Sequence, residues 1–349
     1  MTAPPRPVGG FFERHAFHGQ EAATGASPEP SLLDAWTGGR PHAAFVNARS
    51  AFAALVTTLA PPTLWLPAWL CGDMVQPAWT VRVRFYSVGQ GFVPDLDLLE
   101  TEARPGDLLL VVAAFGLPID ESTRAFIARR PDLYVVEDRA QALNPGVEAG
   151  GGWVLYSPRK LLGVADGGLL VPSEAGLILP QPSEAADAEP LWRAADLRAA
   201  DTQALDGPLW HAANQAKEAA MTVSNQAMTP DSLAILRTAP LSSLTTPRLN
   251  NWRSLDARLR QWSPLPVDPT APPLGYVLDL EPETRDRLRS RLNAARVFAA
   301  VHWPELASPA AAFPREHGWT RRLLTLPCDH RYGETEMAAV AELVVDTLR

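Results

Sequence analysis

Short apolar runs alternate with amphipathic stretches through the first half of the chain. The run NARSAFAALVTTLA, from Asn47, repeats Ala51, Leu55 and Leu59 at helical spacing and predicts a helix that Pro61 and Pro62 end. LWLP (64–67) predicts a strand, and VRVRFYSV (81–88) alternates as a half-exposed strand does. DLLLVVAAFG (107–116) is apolar throughout, the pattern of a strand covered on both faces. ESTRAFIARR (121–130) predicts the helix that follows, LYVVED (133–138) another buried strand, and WVLYS (153–157) and GGLLV (167–171) two more. Such alternation predicts an α/β fold with a mostly parallel sheet covered by helices on both faces.

The flanking regions have weaker patterns. Residues 1–40 are rich in Pro and Gly without periodicity and predict an irregular N-terminal arm, one that packs on a partner subunit. Residues 172–200, rich in Ala, Glu and Pro, read as loop, and 203–262 as mainly helical with Pro240 and Pro247 as interruptions. A smaller α/β unit follows, with strands at 276–280, 297–303 and 323–327 and helices at 286–295 and 334–349. The expected division is an arm (1–40), a large domain (41–240) and a smaller C-terminal domain (241–349). No internal repeat is visible.

Composition narrows the function classes. A net charge of -8 without a dense basic patch argues against binding nucleic acid through its phosphates. Cys71 and Cys328 are far apart and lack a CxxC partner, so neither a disulfide framework nor a zinc site is expected. The seven histidines show no HxH or HxxxH spacing, and no metal is expected. The opening MTAPPRPVGGFF lacks the apolar core of a signal peptide, and runs such as 108–115 are too short to span a bilayer, so the expected location is the cytoplasm, with no membrane partner. The glycine-rich run GVEAGGG (146–152) lacks the GK[ST] ending of a phosphate loop, and GxGxxG is absent after the first strand. Cys328, Asp329 and His330 stand together, but adjacent residues rarely point at one another, which disfavours a nucleophilic site there.

Ligands of open α/β sheets bind at the carboxyl ends of the strands, which directs attention to the polar residues there. Asp138 ends the apolar run VVED. A carboxylate so placed either caps a following helix or pairs with a cationic heterocycle such as the ring nitrogen of pyridoxal phosphate, keeping it protonated as an electron sink. Lys160, in YSPRKLLGVADGG, follows the next strand but precedes a Gly-Gly turn. Of 31 basic residues only Lys160 and Lys217 are lysine. A Schiff base needs an amine that can lose its proton, which arginine cannot supply. Lys160 is therefore either a stray surface lysine or a Schiff-base former; Lys217, in HAANQAKEAA, reads as a solvated helix face. Asp138 and Lys160 lie 22 residues apart, each after a strand.

With these landmarks the chain resembles the DegT family of sugar aminotransferases, within fold type I of the pyridoxal-phosphate enzymes. The resemblance runs from about Gly9 to the C-terminus and rests on GGFFE, FVNARSAFAAL, LPAWLC, AFGLP, EDRAQAL, SPRKLLGVADGG and LPCDHRYGETEM in that order. It implies Lys160 as the Schiff-base lysine, Asp138 on the pyridine nitrogen and Gln141 facing the ring's phenolic oxygen. It implies Ser157 as a phosphate ligand, although it lies only three positions before the lysine, closer than in many members. The backbone N–H groups of Ala48 and Arg49 match the turn that meets the phosphate at a helix N-terminus, where a capped helix with Asn47 as its cap is the simpler reading. Trp69 matches the aromatic that stacks on the ring, unless that position falls on Cys71. Asn225 matches an asparagine that reaches the phosphate of the neighbouring subunit.

The resemblance implies a homodimer that transfers an amino group from a small-molecule donor such as glutamate to a keto sugar, nucleotide-linked sugars included, or to a related keto compound. Two alternatives stand beside it: dehydration or other pyridoxal-phosphate chemistry on the same framework, and a non-catalytic binding or regulatory protein that kept the fold. Joint retention of Lys160 and Asp138 disfavours the last.

Overall fold

The computed structural model describes residues 4, 6–14, 29–76, 80–143, 151–201, 207–269 and 271–349. The chain enters through β1 (Val8–Gly9) and α1 (Leu32–Thr37). It continues through β2 (Ala43–Phe45), α2 (Ala48–Leu59), β3 (Thr63–Pro67), β4 (Arg82–Tyr86), α3 (Leu96–Glu102) and β5 (Leu108–Val112). Next come α4 (Glu121–Arg129), β6 (Tyr134–Asp138), β7 (Trp153–Tyr156) and β8 (Gly168–Pro172). Helices α5 (Ala188–Ala200), α6 (Gly207–Ala220), α7 (Pro230–Thr238) and α8 (Leu241–Leu259) lead to β9 (Gly275–Asp279) and α9 (Pro282–Ala294). The chain ends with β10 (Val297–Phe298), α10 (Pro314–Arg322), β11 (Leu323–Pro327) and α11 (Glu334–Leu348).

Seven strands form the central sheet in the order β2-β8-β7-β6-β5-β3-β4. Every neighbouring pair is parallel except those made by β8, which runs antiparallel to both β2 and β7. The sheet is mostly parallel, as the apolar runs predict. Alternate residues of its strands feed two separate cores. Trp65, Leu109, Val111 and Val135 pack with Phe126 and Ile127 of α4, whereas Leu64, Leu66, Leu108, Leu110 and Val136 pack with Phe52, Leu55 and Val56 of α2. A smaller unit pairs β9 with β11 antiparallel and surrounds them with α8, α9 and α11.

Four expectations need correction. The Ala-rich stretch before residue 200 holds α5, capped by Asp187 and burying Trp192, Ala194 and Ala195. Pro247 lies inside α8 instead of interrupting it; Leu244, Trp252, Leu255 and Leu259 are buried from that helix, packing that outweighs the roughly 3 kcal/mol a helical proline costs. The strand expected at 297–303 shrinks to two residues paired with β1, after which Ala300 exchanges hydrogen bonds of 2.9 and 2.8 Å with Thr325. The arm expected to be irregular contains β1 and the boxed helix α1. Its residues 8–14 lie on this chain's own β10, α5 and α11 approach: Gly9 N–H donates to Tyr332 Oη (2.8 Å) and Arg14 pairs with Asp196. Residues 15–28, and the glycine-rich run as far as 150, lie outside the described residues. Among the described residues no helix is long and apolar enough to cross a membrane.

Gly168 sets how closely β8 meets the start of α2. A Cβ there would stand 2.2 Å from Ala48 N and from Asn47 C, both backbone. Gly168→Ala is therefore expected to destabilise the fold by about 3 kcal/mol, the upper end of overpacking costs. A urea midpoint unchanged from wild type would show that this approach is not tight.

Candidate functional site

Parallel pairing brings the two chemical segments together. Asp138 of β6 lies opposite Leu155 of β7, so the chain leaves both strands at the same edge of the sheet. After β7 the chain makes a single 3-10 turn, Pro158–Lys160, in which Lys160 N–H donates to Ser157 C=O at 3.2 Å. Lys160 is exposed, and its amine makes no hydrogen bond or salt bridge among the described residues. It lines a cavity together with Gly10, Phe12, His302, Trp303 and Thr325. A second, wider groove, lined by Val111, Leu117, Arg124 and Val267, contains neither Lys160 nor Asp138.

Asp138 is buried. Its Oδ1 accepts from Ala140 N–H at 2.8 Å, and residues 139–143 form a turn, so it caps no helix. Burial pushes its carboxyl above the usual range; the nearby charge of Lys160 and the Ala140 N–H work against that, while Glu137 adds to it. The two residues are thus within electrostatic reach of each other. Beside Asp138, Glu137 and Arg139 form a buried ion pair of 2.7 Å, which satisfies the neighbouring charges away from Lys160.

Gln141 is also buried. Its Oε1 accepts from Phe115 N–H at 2.8 Å, and its Nε2 is a buried donor without a partner. Phe115 adopts φ 54 and Gly116 φ 83, with a Cβ on Gly116 falling 2.5 Å from Gln141 C=O. The strained AFG turn is therefore clamped against Gln141, which fixes the direction of the amide. Buried donors are ordinarily satisfied, so the orphaned Nε2 fits an acceptor supplied by a bound group.

The other expected residues are placed as follows. Asn47 caps α2, its Oδ1 accepting from Ser50 N–H at 2.8 Å, which leaves Ala48 and Arg49 as the first helical residues. The Arg49 guanidinium is turned to Asp73 and to Met221 C=O, so only the backbone is offered at that helix start. Ser157 is buried at the foot of the Lys160 turn and makes no side-chain hydrogen bond among the described residues. Asn225 is exposed, its carbonyl accepting from Ser183 N–H and Oγ at 2.7 and 2.9 Å. Trp69 is buried in an aromatic cluster, with Phe92, Phe115, Trp303 and Trp319 between 4.8 and 5.7 Å. Burial raises the thiol of Cys71, two residues on, and the Lys160 charge works against that.

Lys217 corrects the reading of a solvated helix face. Its side chain is 7% exposed and lies 3.7 Å from Glu218; burial, with Arg159 nearby, lowers its amine below the ordinary lysine range. Cys328 and its neighbours form no nucleophilic site: burial pushes the thiol up to about 12, Asp329 pairs with Arg331 at 2.8 Å, and His330 stacks on Phe12. His302 drew no attention in the sequence because it ends an apolar run. Among the described residues, no group of three or more His, Cys, Asp or Glu is arranged to hold a metal.

No family model and no curated protein sequence matches the chain. Solved structures do. A DegT DnrJ EryC1 StrS aminotransferase from Brucella abortus is 19% identical with a TM-score of 0.66, over 90% of this chain and 87% of that one. DesV of S. venezuelae, in complex with a ketimine intermediate, is 20% identical with a TM-score of 0.67, over 91% and 87%. Spr1654 of Streptococcus pneumoniae in its PLP-form is 15% identical with a TM-score of 0.64, over 98% and 100%. At these identities the likeness establishes the fold, which is that of the fold type I pyridoxal-phosphate transferases.

Proposed function

We propose that this chain is a pyridoxal-phosphate-dependent aminotransferase that moves an amino group from an amino acid such as glutamate to a keto sugar or a related small keto compound, with Lys160 as the Schiff-base lysine. One observation carries the reading: an unpartnered amine on the turn after β7 and a buried carboxyl at the end of parallel β6 lie at one sheet edge, near enough for the lysine's charge to act on the carboxyl. The names of the structures with this fold, sugar aminotransferases among them, support the same reading.

Bound pyridoxal phosphate supplies an aldehyde for the amine and an electron-withdrawing ring. The residues present fit it. Asp138 holds the ring nitrogen protonated, and Gln141 Nε2 donates to the ring oxygen. The Ala48 and Arg49 N–H groups and Ser157 take the phosphate at the start of α2. Cys71, or Trp69 two residues before it, would help to hold the ring. Lys160 would be the base that moves the proton at the substrate carbon. Asn225, exposed at the surface, would reach the phosphate of a second copy in a homodimeric working form.

The test is a half-reaction. Protein loaded with pyridoxal phosphate and mixed with L-glutamate should lose its visible absorption and release one equivalent of 2-oxoglutarate. If no common amino acid yields a keto acid while the visible absorption persists, the protein binds the cofactor for some other purpose.

A further inference from the structure

The cavity beside Lys160 has a wall built by the smaller unit, and His302 stands in it. Two hydrogen bonds between Ala300 and Thr325 anchor the segment after β10 to β11, and His302 Nδ1 lies 3.0 Å from Thr325 Oγ1. The ring also meets the edge of Phe115, at 5.9 Å, the residue whose N–H is held by Gln141. The imidazole is therefore fixed from two sides. Its other nitrogen, Nε2, has no partner among the described residues. Burial, reinforced by the charge of Lys160, lowers the imidazole to about 3, so it is neutral at any working pH and keeps a lone pair on one nitrogen. The charged groups around the same cavity are Lys160 and Arg159 on the turn after β7, Arg248 on α8, and Asp329 after β11. Arg159 is tied to Glu218, Arg248 to the carbonyl of Leu161, and Asp329 to Arg331. His302 is the neutral member of the set.

We propose that His302 is a positioning residue for Lys160: with Nδ1–H donating to Thr325, its Nε2 lone pair would accept a hydrogen bond from the protonated Lys160 nitrogen once pyridoxal phosphate is bound, a bond that neither group makes in this structure, and hold that nitrogen over the cavity. The proposal rests on the reading of Lys160 as the cofactor lysine. It gives the smaller unit a part in the chemistry of the larger one, through a residue on neither of the strands that carry Asp138 and Lys160.

The measurement needs no substrate. The visible absorption of the protein loaded with pyridoxal phosphate is titrated against pH, and borohydride followed by peptide mapping locates the cofactor. An acceptor stabilises the protonated nitrogen, so its removal lowers the pH at which the proton leaves. His302→Phe is expected to lower the midpoint by about one pH unit, the size of a hydrogen bond to a charged group. His302→Gln, which restores a neutral acceptor, should recover most of the shift. Thr325→Val, which frees the ring to turn, should give a smaller shift of the same sign and serves as the comparison if His302→Phe fails to load. A midpoint unchanged in both His302→Phe and Thr325→Val overturns the proposal, and a raised one assigns Nε2 as a donor and overturns it equally. Absence of a cofactor adduct at residue 160 in the wild type sinks the Lys160 reading itself, an outcome separate from either of these.

Discussion

Lys160→Ala should leave the protein folded and abolish covalent retention of pyridoxal phosphate. The residue is exposed and its amine has no partner among the described residues, so its removal should change stability by no more than about 0.5 kcal/mol. Loss of function could not then be ascribed to unfolding. Lys160→Arg separates charge from chemistry: the guanidinium keeps the positive charge but cannot lose a proton to attack an aldehyde. Both variants should lack the visible absorption, resist trapping by borohydride and show no measurable turnover. The chain's composition makes the mapping decisive, because Lys217 is the only other lysine. Its amine is nearly buried and has a lowered pKa, which makes it the natural competitor for an aldehyde. Borohydride label on the Lys217 peptide in wild-type protein would mean that the wrong lysine has been assigned.

What was legible beforehand, and what was not, divides along physical lines. β5 was legible because a strand covered on both faces must be apolar at every position, and few other elements need five such residues in a row. The meeting of Lys160 and Asp138 at one end of the sheet was legible because residues that follow neighbouring parallel strands come together there. α5 was hidden because its stripe consists of alanines around one tryptophan, which carries little amphipathic contrast. Neither the burial of Lys217 nor the packing of Trp69 can be read locally, since both depend on neighbours distant in sequence, such as Phe11 and Arg159 for the lysine and Trp303 and Trp319 for the tryptophan. His302 was hidden for the same reason: Thr325 and Phe115, which fix it, lie on other elements. Helical and strand periodicity record which face is buried; they do not record what lies on the other side of the contact.

Asp138→Asn should bind pyridoxal phosphate yet turn over roughly 1000-fold more slowly, the scale seen when one preorganised electrostatic contact is lost from an active site. The substitution is nearly isosteric, and asparagine Oδ1 can keep the 2.8 Å bond from Ala140 N–H. The other carboxylate oxygen becomes an NH2 group. It can donate to a neutral pyridine nitrogen but cannot hold a proton on it, so the cofactor would sit in place without its electron sink. Stability should move the opposite way in the cofactor-free protein. Burial raises the Asp138 carboxyl above its unfolded value. Its favourable contribution is therefore complete below the ordinary aspartate range and is lost as pH rises through the raised value. Asparagine has no such loss. Urea midpoints of the two cofactor-free proteins should then diverge in favour of Asp138→Asn between acid and neutral pH, while activity diverges in favour of the wild type. A variant both less stable at neutral pH and equally inactive would point to a structural role for Asp138, and undiminished turnover would remove it from the chemistry altogether.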